Sequence, residues 1–223
     1  KRVEARNFDI RKQLLEYDDV MEKQRDVIYE QRHQVLEGED LKDEIMGMIE
    51  DLIEEAIDAS SENSNYPEEW DFDKLAKRIF YLFSISLKVK DEDKPKLKKE
   101  TLKERLIAEA KRIYESKEKD LGSEETREVE RRVMLMVVDN EWKDHLHAMD
   151  ELKTGVGLRA YAQRDPLIEY KKEGYEMFQE LINRIREEVI RFVYRVQILK
   201  QPALAPKRDR DIKEGRSGEP ISP

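Results

Sequence analysis

Apolar residues recur at alternating steps of three and four along the first segment, from Val3 to Leu36, which contains no glycine or proline. The positions that share this spacing are Ile10, Leu14, Tyr17, Met21, Ile28 and Val35. The spacing predicts one long helix, roughly 50 Å from end to end, which suits a strut between domains. Gln24 and Gln31 fill the remaining seam positions, and such polar interruptions favour packing against other helices over pairing with a second copy.

Shorter amphipathic segments follow in the middle of the chain. The period predicts helices over about residues 41–59, 72–80 and 98–119. Asp71 is placed to cap the second of these helices, and the polar residues 60–67 predict a loop. Residues 84–97 are ambiguous, because apolar residues alternate there as in a short strand. These elements predict a small, mostly helical subdomain between the longer elements.

The last third of the chain predicts an antiparallel pair of long helices. The first runs from Ser123 to about Lys153, where the sequence Thr154-Gly155-Val156-Gly157 predicts a stop. Asp165 and Pro166 stand in the preferred order for the N-cap and first residue of the second helix, after a connection of about a dozen residues. From residue 198 onward, prolines and mixed charges predict a disordered tail.

Composition narrows the class of protein. Charged residues make up 43% of the chain and hydrophobic residues 38%, which suits long helices with narrow apolar stripes and solvated faces. The net charge of −9 argues against a nucleic-acid partner, since an acidic surface repels phosphates. Cysteine is absent, and no apolar run approaches the ~20 residues that cross a bilayer. We therefore expect a soluble, all-α interaction module whose membrane contact is peripheral.

Catalytic motifs are missing from the sequence. It contains neither a P-loop nor a Gly-x-Gly-x-x-Gly fingerprint. Glu30 and His33 have the Glu-x-x-His spacing of di-iron bundles, but Asp144 and His147 are only a poor second copy. His145 and His147 point away from each other on a helix, so they are not a joint site. The sequence predicts no catalytic residue and no metal site.

Two features favour binding instead. Trp142 is either a core aromatic near a helix crossing or a docking anchor for another domain, and both roles are compatible. The predicted hairpin tip carries apolar or amphipathic residues where loops are usually polar, flanked by arginines, and this composition favours an external contact over a tip folded back on its helices. The tip residues are Leu158, Arg159, Tyr161, Ala162 and Arg164.

Two long motifs carry a family resemblance. Residues Val3 to Val20 resemble the start of the long scaffold helix of the SecA family of preprotein translocase motors. The family's second motif is similar to residues 133–135, 142–146, 148–150, 158–159 and 161–166, and residues 169–171 and 196–197 continue it. The resemblance covers nearly the whole chain to about Gln197, and residues 39–130 are its least distinctive part.

The resemblance implies a domain organisation. Residues 1–38 would be the long helix of the helical scaffold domain, and residues 131–197 would be its two-helix finger, packed with that helix. Residues 39–130 would form the helical wing domain. Residues 198–223 would be the disordered C-terminal tail.

The resemblance also implies partners. The scaffold helix would dock against the motor and preprotein-crosslinking domains, with Tyr17, Met21 and Trp142 as docking residues. The finger would enter the SecY channel from the cytoplasm, contact unfolded preprotein through Tyr161 and restrain ATP turnover. Arg159 and Arg164 would meet acidic channel loops or anionic lipid. The implied location is cytoplasmic and peripheral, on the inner face of the cell membrane.

Two departures limit what the resemblance implies. Nothing in the chain matches the family's nucleotide-binding or preprotein-crosslinking segments, so we expect a carboxy-terminal fragment without catalysis of its own. ATP and magnesium belong to the full-length family, and no cofactor is expected here. The tail lacks the cysteines of the family's zinc motif, so zinc and the chaperone SecB are not expected. The alternative is a free-standing helical-bundle or coiled-coil adaptor.

Overall fold

A computed structural model describes residues 2–37, 41–61, 64, 66–89, 94, 97–159 and 165–196. These ranges contain six α-helices and no β-strand, which confirms the all-α prediction for the described part of the chain. The helices are α1 (Arg2–Glu37), α2 (Lys42–Ser61), α3 (Phe72–Phe83), α4 (Lys99–Leu121), α5 (Ser123–Arg159) and α6 (Pro166–Arg195). The predicted tail, residues 198–223, lies outside the described residues.

The predicted strut is α1, an uninterrupted helix of 36 residues. Among the seam side chains that the structure describes, Gln24, Ile28 and Val35 in the C-terminal half are fully buried against other helices. Leu14 and Leu15, in the N-terminal half, are 49% and 68% exposed. The helix therefore extends beyond the body that its second half joins.

Helices α5 and α6 pack side by side over much of their length as the predicted antiparallel hairpin. The predicted stop at Thr154–Gly157 is wrong, because α5 continues through these residues to Arg159. Val156 is fully buried in a cluster with Tyr170 of α6. The Thr154 hydroxyl donates to the Asp150 carbonyl at 3.0 Å. Packing across the hairpin outweighs the cost of about 1 kcal/mol that each helical glycine carries.

Helices α2, α3 and α4 occupy the range predicted for the wing, and α2 packs against both others. Asp71 caps α3 as predicted, accepting a hydrogen bond from the Lys74 amide at 2.8 Å. The ambiguous segment after α3 forms no strand in its described residues, 84–89. The apolar core runs without a break from Ile28 and Val35 of α1 through these helices to the C-terminal half of α6.

The C-terminal end of α6 is held by the wing helices. The Tyr194 ring meets Phe83 of α3 edge-on, with ring centroids 5.2 Å apart, and its hydroxyl donates to the Ala110 carbonyl of α4 at 2.9 Å. Lys117 of α4 donates to carbonyl groups in the last turn, including that of Val193 at 3.1 Å. A cation at this position satisfies carbonyls that lack helical partners and complements the helix dipole. The wing helices and the hairpin are therefore packed into one body at this end.

Candidate interaction surface

Three helices meet at a buried polar joint made of Gln24 on α1, His145 on α5 and Gly174 on α6. The Gln24 side-chain amide donates from Nε2 to the Gly174 carbonyl at 3.0 Å. Its Oε1 lies 2.8 Å from Nε2 of His145, which donates the proton in this arrangement. One side chain of the strut is thus hydrogen-bonded to both helices of the hairpin.

His145 is only 1% exposed, and aromatic rings surround it. Its ring stacks on Trp142, with centroids 5.5 Å apart, and lies 5.9 Å from the Phe178 ring. Burial, together with the positive charge of Arg184, lowers the pKa of His145 to about 4. The imidazole is therefore neutral at pH 7, as a donor to an uncharged amide should be.

Gly174 allows the close packing at this joint. A Cβ atom added at residue 174 would lie 2.8 Å from Cε of Met149 on α5. The missing side chain also leaves the carbonyl open to Gln24. The glycine in the middle of α6 is therefore used for close helix approach rather than for a turn.

A second apolar cluster lies along the hairpin between the joint and the tip. It is built from Met149, Leu152, Val156 and Tyr170, with Tyr17, Val20, Met21 and Met177 packed against it. The Tyr17 and Tyr170 rings meet edge-on with centroids 4.8 Å apart. Two of the residues predicted to dock other domains, Tyr17 and Met21, are thus half-buried against the hairpin of their own chain.

Trp142 is a core residue, 7% exposed, in agreement with its interpretation as an aromatic at a helix crossing. It also lines an open groove of about 540 Å³ between α1 and α5, together with Tyr29 and Leu36. Arg32 and Asp139 close one side of this groove with a hydrogen bond of 3.0 Å. The docking role of Trp142 stays a prediction.

Phe8 and Leu15 are the most exposed large apolar side chains among those described on α1, and both lie in its N-terminal half. Phe8 is 67% exposed, and Leu14 and Leu15 are also exposed. Three large apolar residues on one projecting helix form a surface that another domain can cover. We call these three residues the strut surface.

The predicted hairpin tip is described only in part. Tyr161, Ala162 and Arg164 lie outside the described residues. Leu158 and Arg159 are the last residues of α5. Asp165 caps α6 as predicted, accepting from the Leu167 amide at 2.9 Å. The roles of the five tip residues stay predictions.

Metal-binding clusters and membrane-spanning helices are both absent from the described part of the chain. It contains no group of three or more His, Cys, Asp or Glu side chains arranged to hold a metal ion. His33, one of the histidines with metal-site spacing, instead pairs with Glu37 at 3.1 Å. No helix in the described ranges has the length and apolar character needed to span a membrane.

The strut and the hairpin are joined through buried side chains and define a helical scaffold. The sequence that forms this scaffold is similar to sequences of known proteins. The family model "SecA Wing and Scaffold domain" matches residues 1–197. The protein translocase subunit SecA of Pelotomaculum thermopropionicum is 45% identical over 98% of this chain and 24% of its own length. That of Carboxydothermus hydrogenoformans is 46% identical over 97% of this chain and 24% of its own length. The SecA of Clostridium botulinum strain Okra is 47% identical over 96% of this chain and 25% of its own length.

The chain belongs to the SecA wing and scaffold family. It spans about a quarter of the length of the curated translocase subunits that it matches. This confirms the family resemblance.

The polar joint was not predicted from the sequence. Gln24 was identified only as an interruption of the seam, and His145 was considered only as a partner of His147. A usable signal exists, because both residues occupy apolar positions of their helices' repeats. Polar side chains at two such positions indicate a buried hydrogen-bonded pair.

We predict that Gln24→Leu lowers the free energy of unfolding by about 2 kcal/mol. The leucine fills the space, but it leaves the buried N–H of His145 without an acceptor. Gln34, an exposed glutamine on the same helix, provides the matched control, and Gln34→Leu should change stability by less than about 0.5 kcal/mol. Urea unfolding followed by circular dichroism measures both. Equal effects of the two substitutions on the free energy of unfolding would contradict a stabilising role for the hydrogen bonds of Gln24.

We also predict a pH dependence that comes from His145. Its pKa is lower in the folded chain than in the unfolded chain, so the unfolded chain binds more protons between about pH 6.5 and 4. Wild-type stability should therefore fall through this window, relative to His145→Gln, by about 3 kcal/mol at pH 4. His147→Gln, at an exposed position, should follow the wild-type curve. Parallel curves for wild type and His145→Gln would overturn the prediction.

Proposed function

We propose that this chain is the scaffold and wing part of a protein-translocating motor. In this proposal α1 passes movements of the motor and preprotein-crosslinking domains to the hairpin, and the hairpin tip acts on unfolded preprotein at the SecY channel. The chain performs no catalysis itself. The polar joint is the observation that carries the proposal, because it connects the strut to both hairpin helices.

A transmitting element has to move as one piece. A packed helix is stiff along its axis, and α1 spans about 54 Å at 1.5 Å per residue. At the joint Gln24 binds both helices of the hairpin, and the Tyr17–Tyr170 contact adds a second attachment nearer the tip. A force on the N-terminal half of α1 would therefore displace the hairpin together with α1, because α1 could not slide past the hairpin.

The strut surface is the site where the nucleotide-binding and crosslinking domains would attach. Burial of Phe8, Leu14 and Leu15 would stabilise such a contact by about 1.5–3 kcal/mol per side chain. Tyr17 and Met21 would form its margin, and the Trp142 groove would be a separate docking site about 20 Å further along α1. Attachment of the scaffold at this surface is also how the hairpin would restrain ATP turnover in those domains.

The hairpin tip would supply the contact with preprotein. The Tyr161 ring offers apolar area to any passing sequence, and its hydroxyl offers a hydrogen bond. Leu158 and Ala162 would add apolar area beside it. Arg159 and Arg164 would meet acidic channel loops or anionic lipid, which places the assembly on the cytoplasmic face of the membrane.

We predict that Tyr161→Ala in the full-length translocase lowers preprotein transport about tenfold while stability stays within about 0.5 kcal/mol. Tyr161→Phe should retain more transport, since apolar contact area carries most of the grip. Transport of a labelled preprotein into channel-containing vesicles, run beside thermal melts, measures both effects.

Tyr175 on α6, which is 64% exposed, provides the matched control, and Tyr175→Ala should transport normally. Full transport by Tyr161→Ala would remove the tip from the mechanism. A large drop in melting temperature would instead mean that the ring belongs to the core.

A further inference from the structure

The segment that follows α3 has the surface of a β-strand edge. Ser84 ends the helix with a positive φ of 57°, and the chain then runs through residues 85–89. Burial alternates with a period of two: Ile85 is buried, Leu87 and Val89 are half-buried, and Ser86 and Lys88 are exposed. This is the period of a strand.

Residues 85–89 have no backbone partner within the described ranges, since none of their N–H or C=O groups is hydrogen-bonded to another described residue. A row of such groups beside an apolar surface is a template for pairing with another extended chain.

A groove lies beside this segment. It has a volume of about 740 Å³, with residues 84–88 on one side and α4, from Arg105 to Ile113, on the other. The α4 wall is about 12 Å long at 1.5 Å per residue. That length matches about four residues of an extended chain. Ala108 faces the groove from the middle of the α4 wall, where its small side chain leaves room for an incoming backbone.

The groove is positively charged although the whole chain carries a net charge of −9. Its charged lining consists of Lys88, Arg105, Arg112 and a single carboxylate, Glu109. Arg112 donates two hydrogen bonds to Glu109, at 2.9 and 2.7 Å, which offsets that carboxylate. The excess of two cations favours an acidic occupant.

We infer that residues 84–89 and α4 form a peptide-binding groove for an extended acidic segment of another polypeptide chain. The segment would add as a strand along residues 85–89, placing apolar side chains against Leu87 and Ile113 and carboxylates beside Lys88 and Arg105. A peptide is the fitting occupant because only a polypeptide backbone supplies donors and acceptors at the spacing of the backbone groups that have no partner in the described ranges. The site is separate from the hairpin tip and does not depend on its proposed role.

Hydrogen exchange of the 223-residue chain tests the pairing directly. In the free chain the amides of residues 85–89 should exchange quickly, because they have no hydrogen-bond partner among the described residues. A saturating eight-residue peptide of alternating valine and glutamate, blocked at both ends, should slow several of them about tenfold. Exchange that is already slow in the free chain, or unchanged by the peptide, would overturn the inference.

Fluorescence anisotropy with the labelled peptide measures how much backbone pairing and how much charge attraction contribute to binding. Peptide N-methylated at alternate amides should bind about tenfold more weakly, because it loses donors and keeps its side chains. Lys88→Glu/Arg105→Glu should weaken binding about tenfold and favour a valine–lysine peptide. Lys119→Glu, an exposed charge reversal on α4 outside the groove, should stay within about twofold of wild type.

Circular dichroism melts verify that these variants fold. Equal binding of the N-methylated peptide would refute strand addition. If Lys119→Glu and the groove variant lost equal affinity for the peptide, the binding would be due to general electrostatic attraction and not to the groove.

Discussion

The hydrogen bonds of one buried amide fix how the strut meets the hairpin. Gln24 can donate to the Gly174 carbonyl and accept from His145 only when α1, α5 and α6 are all in register. Sliding α1 by one turn, about 5.4 Å, would bury apolar surface about as well but would leave both bonds unmade. Apolar contacts along a helix tolerate such shifts, whereas a buried polar pair does not. The joint therefore supplies specificity that the seam alone lacks.

The wing helices complete the body from the opposite end of the hairpin. Tyr194 and Lys117 fix the last turn of α6 to α4, and the apolar core is continuous from α1 through α2, α3 and α4. The hairpin is thus held at its joint and at its base.

Much of the fold could be predicted from sequence because its signals are local. Local signals of this kind are the seam of α1, the caps at Asp71 and Asp165 and the period of α6. Each of them acts within a few residues, and the structure has the helix or cap that each one predicted. The end of α5 was missed because Tyr170, which buries Val156, is distant in sequence from the glycines. The joint was missed for a similar reason, since Gln24 and His145 are 121 residues apart.

The candidate site shows the same division between local and distant information. Trp142 could be assigned to a helix crossing from its position in the repeat. The sequence could not predict that Tyr17 and Met21 face their own hairpin, because the seam of α1 does not reveal which helix covers it. The tip residues, Tyr161 foremost, were identified from composition and family resemblance, and their roles stay predictions.

If the strut and the hairpin move as one piece, the distance between a point on α1 and a point on α6 stays constant. The chain contains no cysteine, so nitroxides can be placed at Asp26→Cys on α1 and Glu176→Cys on α6. Both positions are exposed. Electron–electron double resonance should give one narrow distance, constant to about 2 Å in the free chain and in a translocase carrying the same labels, with and without ATP. A second distance population, or a shift on adding ATP, would show that α1 moves against the hairpin and would contradict the account.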